Sequence, residues 1–350
     1  MWLIALMAQA ANRAADPVID PVTGFRVPPS WIETCQEPDL LEKVRSGRWV
    51  LLSSGLLLRR GLTTGTTAAA ACKGAVLSLK RPVDSVDVAT PAGVRVTLQV
   101  VASAGFCVAI KEAGDHEFDA TKGAEIMASA IPSAQVELVA GEGVGRIAAQ
   151  GLCADLGKPA ISRSARQQIL KAIEEGLEDT GLEGVKVELM VPKGKALAEK
   201  TLNPRLGIVE GISILGSTGF VEPWNEHLVE SREDDMKKAT KVVVTTGRTG
   251  LKFSRILFPD HLAVLIGNHL DRLKFEDRQE SILCGLPALI LKWACPEVLE
   301  GTGYHTVAEL VEKEPGHRNI TLALERAKRM LPGTRIVLLQ KDGSIFRDVS

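Results

Sequence analysis

Aromatic side chains are scarce in this sequence: Phe, Trp and Tyr make up 4% of the 350 residues, with a single Tyr. Stacked-base recognition needs aromatic platforms, so their shortage argues against single-stranded nucleic acid as a ligand. A basic excess is missing too. Lys and Arg number 42 against 43 Asp and Glu, a formal charge of −1 that leaves no surplus to neutralise a phosphate backbone. The six cysteines (Cys35, Cys72, Cys107, Cys153, Cys284, Cys295) form no C-x-x-C pair, and the six histidines form no H-E-x-x-H. Neither a disulfide framework nor a protein-bound metal is therefore expected, and the thiols read as small buried groups in a reducing, cytoplasmic compartment. There is no Walker loop. The nearest stretch, GLCADLGKP, has five residues between its glycines and Pro159 where Ser or Thr would meet magnesium. No run of apolar residues reaches membrane-spanning length. The opening MWLIALMAQAANRAAD is apolar from Trp2 to Ala11, but short and without a preceding Lys or Arg. It reads as a short helix or as an extension upstream of a start at Met7, and no membrane association is expected.

What is present describes a globular protein with room for two domains, 45% apolar by composition. Residues 1–47, rich in Pro and charge, read as an extension and arm. From Arg48 the pattern tightens: a short hairpin in RWVLLSSGLLLRRG, then the helix of TTGTTAAAACKGA, from about Thr66 to Leu79, with Thr63 or Thr64 as its cap. Two alternating strands flank the Pro-Ala-Gly turn of VDSVDVATPAGVRVTLQVV. A strand in GFCVAIKEAGD places Phe106, Val108 and Ile110 on one face, and another in AQVELVAGEGVGR runs into a Gly loop. An amphipathic helix in SRSARQQILKAIEEGLED, capped by Ser162 or Ser164, precedes a strand in VKVELMVPKG. The order β-α-β-β-β-β-α-β predicts an α+β domain with a largely antiparallel sheet over 48–222. After that the rhythm changes. Short, nearly all-apolar strands (KVVVTTG, HLAVLIG, ESILCGL, TRIVLLQ) alternate with helices, which predicts a smaller α/β, Rossmann-like domain over 223–350.

Four Gly- or Thr-rich loops stand at strand–helix junctions: GLTTGT (61–66), GEGVGR (141–146), GISILGSTG (211–219) and TTGRTG (245–250). Each alone is explained by a tight turn. Arg60, Arg146 and Arg248 lie in or beside three of them, and arginine forms forked bonds to carboxylate or phosphate. The first loop, with Arg60, Thr63, Thr64, Gly65 and Thr66, reads as a seat for something flat and acidic, because small residues admit close approach. VVVTTGRTG has the strand, Gly turn and helix start of a dinucleotide or S-adenosylmethionine site, with Thr245, Thr246, Gly247 and Gly250 as contacts and Asn268 and Asp271 near the donor's ribose. The same glycines also suit close packing of helix on sheet. IKEAGDHEFDATKGAEI carries Lys111, Glu112, Asp115, His116, Glu117 and Asp119, either a solvated tip or the source of a general base.

In order, RRGLTTGTTAAAA, AGDHEFDAT, GEGVGR, GISILGSTGFVEP and TTGR resemble the cobalt-precorrin-5B (C1)-methyltransferases of the CbiD type, from anaerobic cobalamin biosynthesis. The likeness runs from about Arg59 to Arg248, and GISILGSTGFVEP is its most specific part. Departures occur at Glu112, His116, Glu117 and Phe118, and in ISRSAR, which keeps Ile161 and Arg166; they read as a divergent branch. The resemblance implies methyl transfer from S-adenosylmethionine to C1 of a cobalt-bearing, contracted tetrapyrrole, giving cobalt-precorrin-6A. Cobalt would then arrive within the substrate. It implies a corrinoid between the domains, its carboxylates held by the 59–66 loop (Arg60, Thr63, Thr64, Gly65, Thr66) and by Arg146, with Gly216 and Glu222 as further substrate contacts and Asp115 and His116 as candidate catalytic groups. A homo-oligomer is compatible with it. A nucleotide-using small-molecule kinase and a non-catalytic corrinoid carrier are the alternatives.

Overall fold

Strand β1 (Gly61–Leu62) leads directly into helix α1 (Thr64–Ser78), whose composition explains its position. Ala68, Ala69, Ala70, Ala71, Cys72, Ala75 and Val76 have no exposed surface. An α-helix enclosed on all sides must keep its side chains small where its neighbours approach. The computed structural model describes residues 17–35, 37, 39–117, 119–148, 156–223, 236, 239–267, 270–273, 275 and 280–350. The expected short helix or extension at 1–16 lies outside these residues, as does most of HLVESREDDMKKA (227–239), whose pattern reads as a helix.

The chain divides into two compact units. One comprises 42–49 and 58–225; the other comprises 1–41, 50–57 and 226–350. In the first unit α1 packs between a six-stranded sheet and helix α2 (Arg163–Thr180). Strands β2 (Val83–Ala89), β3 (Arg95–Ser103), β4 (Phe106–Ile110), β5 (Glu125–Pro132), β6 (Glu137–Ala140) and β8 (Val185–Met190) form that sheet in the order β2-β3-β4-β5-β8-β6. All neighbours run antiparallel except the β8–β6 pair. Strand β5 was not expected from the sequence, yet it lies inside the sheet. Its alternation is carried by Ile126, Ala128 and Ala130, which are buried, while Met127 and Ser129 are only half-buried. On β4 the buried residues are Cys107 and Ala109; the face carrying Phe106 and Ile110 is exposed. Glycines let the helices approach. A Cβ on Gly65 would lie 2.8 Å from Ala165 Cβ, and one on Gly176 would lie 3.1 Å from Val76.

In the second unit, strands β11 (Lys241–Thr245), β12 (Leu262–Leu265), β13 (Glu280–Gly285), β14 (Arg335–Leu339) and β15 (Ile345–Val349) form a sheet in the order β12-β11-β13-β14-β15. The first four run parallel, and β15 adds an antiparallel edge. Val242, Val243, Val244, Leu283, Ile336 and Val337 are fully buried, as expected of parallel strands covered on both faces. Helix α3 (Arg248–Leu257) packs on β11, β12 and β13. Helices α4 (Pro287–Ala294), α5 (Val307–Lys313) and α6 (Arg318–Met330) pack together, with α6 on β14. The stretch read as an arm contributes to this unit. Val18, Phe25 and Val27 are buried, and the Phe25 ring lies 5.9 Å from that of Phe253 on α3. The chain is thus a mixed α/β protein with several sheets.

Candidate functional site

Three motifs distant in the sequence meet around β1. The first joins the 111–116 loop to the two arginines. Leu62 N donates to Glu112 O (2.9 Å), Asp115 N donates to Arg59 O (2.9 Å), and Arg59 N donates to Asp115 Oδ2 (2.6 Å). Close approach here requires glycine: Gly114 has φ +61°, and a Cβ on it would collide with the backbone of Arg60 and Gly61. Glu112 accepts from both Arg48 and Arg59, the latter at 2.8 Å. Asp115 is exposed and His116 is buried. Beneath them lies the ion pair of Lys111 and Asp119, whose side chains are 1% and 11% exposed. Burial pulls the Lys111 ammonium below its usual range. Burial works against the Asp119 carboxylate as well, but the Lys111 charge and hydrogen bonds from Lys111 and Thr121 outweigh it and hold its pKa below normal.

The second contact is to strand β10 (Phe220–Val221), antiparallel to β1. It brings Glu222 to Arg60, with Nε donating to Oε2 at 2.9 Å. Arg60 has no exposed surface. Its guanidinium also donates to the carbonyls of Gly47 and Trp49, both at 3.2 Å. The sequence suggested Arg60 as a carboxylate clamp for a ligand; in the fold its carboxylate is Glu222.

The third contact is the 213–219 loop, which lies over the first turns of α1 and α2. Thr63 caps α1, accepting from Thr66 N, and Ser162 caps α2, accepting from Ala165 N. Gly65 N donates to Leu215 O (2.8 Å), and Leu215 N donates to Thr64 Oγ1 (2.9 Å). Thr66 Oγ1 donates to Gly219 O (2.8 Å), Ser162 N to Ile214 O (2.9 Å), and the Ser164 hydroxyl to Gly216 O. A Cβ on Gly216 would fall on Thr63 Oγ1. Thr64, Gly65, Thr66 and Gly216 are all buried. The small residues of the GLTTGT loop therefore admit another stretch of the same chain. They form the floor of this region.

GEGVGR (141–146) pairs with the start of the same 211–222 segment. Strand β7 (Gly143–Val144) pairs in parallel with β9 (Gly211–Ile212). Gly143, at φ +72°, packs so tightly on Gly194, Gly211 and Val191 that a side chain on any of the three glycines would overlap backbone. Arg146 is exposed, donates to Gly157 O (3.2 Å) and pairs with Glu210 (3.3 Å), beside a shallow hollow lined by Gly141, Glu142 and Gly143.

In the other unit, β11 ends at Thr245, and Gly247 precedes α3 at the N-cap position without a side-chain cap. The chain passes from β11 to β12 on one side and then returns to β13 on the other. That strand order makes the edge beyond Thr245 a topological switch point, where open parallel sheets generally bind their ligands. Gly250 is explained by packing: its Cβ would lie 3.2 Å from Cys284 O. Gly285 makes room for Thr246, whose Oγ1 would lie 2.9 Å from a Cβ there. Gly247 has neither reason. Its φ of −159° suits any residue, and among the described residues a Cβ would meet no atom within 4 Å. Asp271 is exposed and accepts from Trp293 Nε1 at 2.8 Å; Asn268 lies outside the described residues. Among the described residues, no group of three or more His, Cys, Asp or Glu is placed to hold a metal, and no helix is long and apolar enough to cross a membrane.

Sequence reasoning did not single out Gln168 or Arg163. Gln168 is buried and donates to Ala89 O (2.9 Å) and Thr66 Oγ1 (3.2 Å), joining α2 to α1 and β2; a polar residue on the buried face of an amphipathic helix was its only signal. Arg163 and Arg166 lie exposed on the first turn of α2.

The CbiD family model matches residues 53–223. The cobalt-precorrin-5B C(1)-methyltransferase of Methanosarcina acetivorans is 46% identical over 334 residues, covering 95% of this chain and 98% of that protein. The enzyme of the same name from Methanococcoides burtonii is 44% identical over 95% of this chain and 98% of its own. The crystal structure of the cobalamin biosynthesis protein CbiD from Archaeoglobus fulgidus covers 92% of this chain and all of its own, with a TM-score of 0.56 and 37% identity. At this identity over nearly the whole length, the chain belongs to the CbiD family.

Proposed function

We propose that this protein is a methyltransferase that moves a methyl group from S-adenosylmethionine to C1 of cobalt-precorrin-5B, forming cobalt-precorrin-6A in anaerobic cobalamin biosynthesis. The observation that carries this reading is the 46% identity, across 95% of the chain, to a protein of that named activity. Cobalt belongs to the substrate. The free thiols, including the buried Cys72 and Cys107, suit a reducing cytoplasm.

We read the 223–350 domain, with its 241–349 sheet, as a Rossmann-like donor module and the 48–222 domain as the corrinoid-binding part. The donor site fits the switch point beyond β11. The open space at Gly247 supports this, since among the described residues neither packing nor backbone conformation asks for glycine there. Thr245, Thr246, Gly247 and Gly250 would line it, with Asn268 toward the ribose. When bound, the sulfonium donor supplies an electrophilic methyl group, so the protein need contribute orientation rather than a nucleophile. Arg60, Thr63, Thr64, Gly65, Thr66, Gly216 and Glu222 hold the floor beneath the substrate, and Arg146 stands at its far edge. Asp115 is the candidate acceptor for the ring proton released as C1 gains its substituent. Its carboxylate is exposed, while Arg59 N anchors one of its oxygens. His116, buried beside it, is the alternative base.

The test is turnover by the full-length protein of cobalt-precorrin-5B with isotopically labelled S-adenosylmethionine, read by mass spectrometry. Label in the corrinoid supports the reading; binding of ATP but not S-adenosylhomocysteine overturns it. Single-turnover comparison of Asp115→Asn with His116→Ala then assigns the base, which should lose roughly 10²–10⁴-fold in rate.

A further inference from the structure

We infer that Arg163 and Arg166, together with Leu215, form the rim that recognises peripheral carboxylates of the corrinoid, an inference that rests on the methyltransferase reading above. A polycarboxylate macrocycle needs cations that are not already neutralised. In the unit of 42–49 and 58–225 most arginines around the motifs are taken: Arg59 by Glu112, Arg60 by Glu222, Arg95 by Asp87 and Glu175, and Arg146 by Glu210. Arg163 and Arg166 differ. Both are exposed, and neither guanidinium has a hydrogen-bond or ion-pair partner among the described residues. Three residues apart on one helix, they are neighbours of like charge, which costs stability when no anion lies between them.

The charge order of α2 sharpens the point. Arg163, Arg166 and Lys171 fall in its first half, and Glu174, Glu175, Glu178 and Asp179 in its second. That is the reverse of the arrangement a helix dipole favours. Stability of the helix does not account for the two arginines, whereas an acidic ligand does.

Their surroundings fit the rest of such a ligand. The Ser164 hydroxyl, between the two arginines in sequence, holds Gly216 O, and Ser162 N holds Ile214 O. The 214–217 loop is thereby pinned to the same turn. On it Leu215 is 51% exposed and Ser217 is exposed. A large apolar side chain exposed on a loop pinned to the turn that carries the two arginines matches a flat ring fringed with carboxylates: Leu215 lies against the ring, and the arginines meet its edge.

Two variants test this in the full chain: Arg163→Gln with Arg166→Gln, and Leu215→Ser. The arginine variant should raise the KM for the corrinoid about 10-fold or more per charge-assisted bond lost, with the KM for S-adenosylmethionine unchanged. Competition supplies a second readout. Wild type should bind a cobalt corrinoid with free carboxylates well above its methyl-esterified form, and the arginine variant should lose that preference. Neither arginine has a partner to lose among the described residues, so the melting temperature should hold or rise slightly. Wild-type turnover together with an unchanged corrinoid KM and an intact acid-over-ester preference in the variant would overturn the rim assignment alone. Absence of turnover by wild type would overturn the methyltransferase reading and the rim with it.

Discussion

Replacing Glu222 by Ala tests whether the Arg60–Glu222 pair holds the fold or serves the substrate. The Arg60 side chain is 0% exposed and the Glu222 side chain 15%. Removing the carboxylate leaves a buried guanidinium with the carbonyls of Gly47 and Trp49 as its remaining partners of known distance. Breaking a buried ion pair from one side costs about 3–5 kcal/mol. The two carbonyl bonds and the partial exposure of Glu222 reduce this, so a loss of about 3 kcal/mol is expected. That corresponds to a roughly 100-fold rise in the opening equilibrium. The sensitive assay is native-state hydrogen exchange of the amides in Gly61–Thr67, combined with urea unfolding of the full chain. Replacing both partners, Arg60→Met with Glu222→Leu, should recover much of the loss, because an apolar pair leaves no buried charge. A stability change below about 0.5 kcal/mol in Glu222→Ala, with a tenfold higher corrinoid KM, would refute this reasoning and return the pair to the binding surface.

Three other outcomes are expected. Gly247→Val should weaken S-adenosylhomocysteine binding at least about tenfold by calorimetry without shifting the melting temperature, because its backbone accepts any residue and the new side chain enters open space; undiminished affinity would move the donor elsewhere. Gly143→Ala should cost about 3 kcal/mol or more, since it combines φ +72° with a collision at Val191 O, and a normal urea midpoint would contradict this. Asp119→Asn should flatten the acid limb of stability. The depressed Asp119 pKa adds stability above its ordinary value near 3.8, and wild type loses that contribution as pH falls through the lower folded value; parallel acid curves for wild type and variant would rule out this contribution.

Local pattern made much of the fold legible before any coordinates. The apolar runs at Val242–Val244, Ile282–Leu283 and Ile336–Leu339 announce strands buried on both faces, and Gly247 opens α3 where the strand-turn-helix order placed it. Thr63 and Ser162 cap the helices they precede. Strand β5 escaped notice because Ala128, Ser129 and Ala130 have low strand propensity; its pairing with β4 and β8 overrides that preference. The antiparallel edge strand β15 escaped as well, having only half-buried and exposed residues.

The chemistry divides along the same line. By itself the sequence determined which residue types are present and in what order, and hence the family, because GISILGSTGFVEP and RRGLTTGTTAAAA are long enough to be specific. It could not say which cations are already spent. Arg60 and Arg166 look alike in one dimension, but pairing across 162 residues neutralises Arg60 with Glu222, while the fold brings no acid of the described residues to the exposed Arg166. The small residues of α1 were equally ambiguous. Only the packing of sheet, α2 and the 213–219 loop around that helix decides that they make room for the protein's own backbone. The physical reason is common to both cases: burial and charge neutralisation depend on contacts between residues far apart in the chain, and those exist only once the chain has folded.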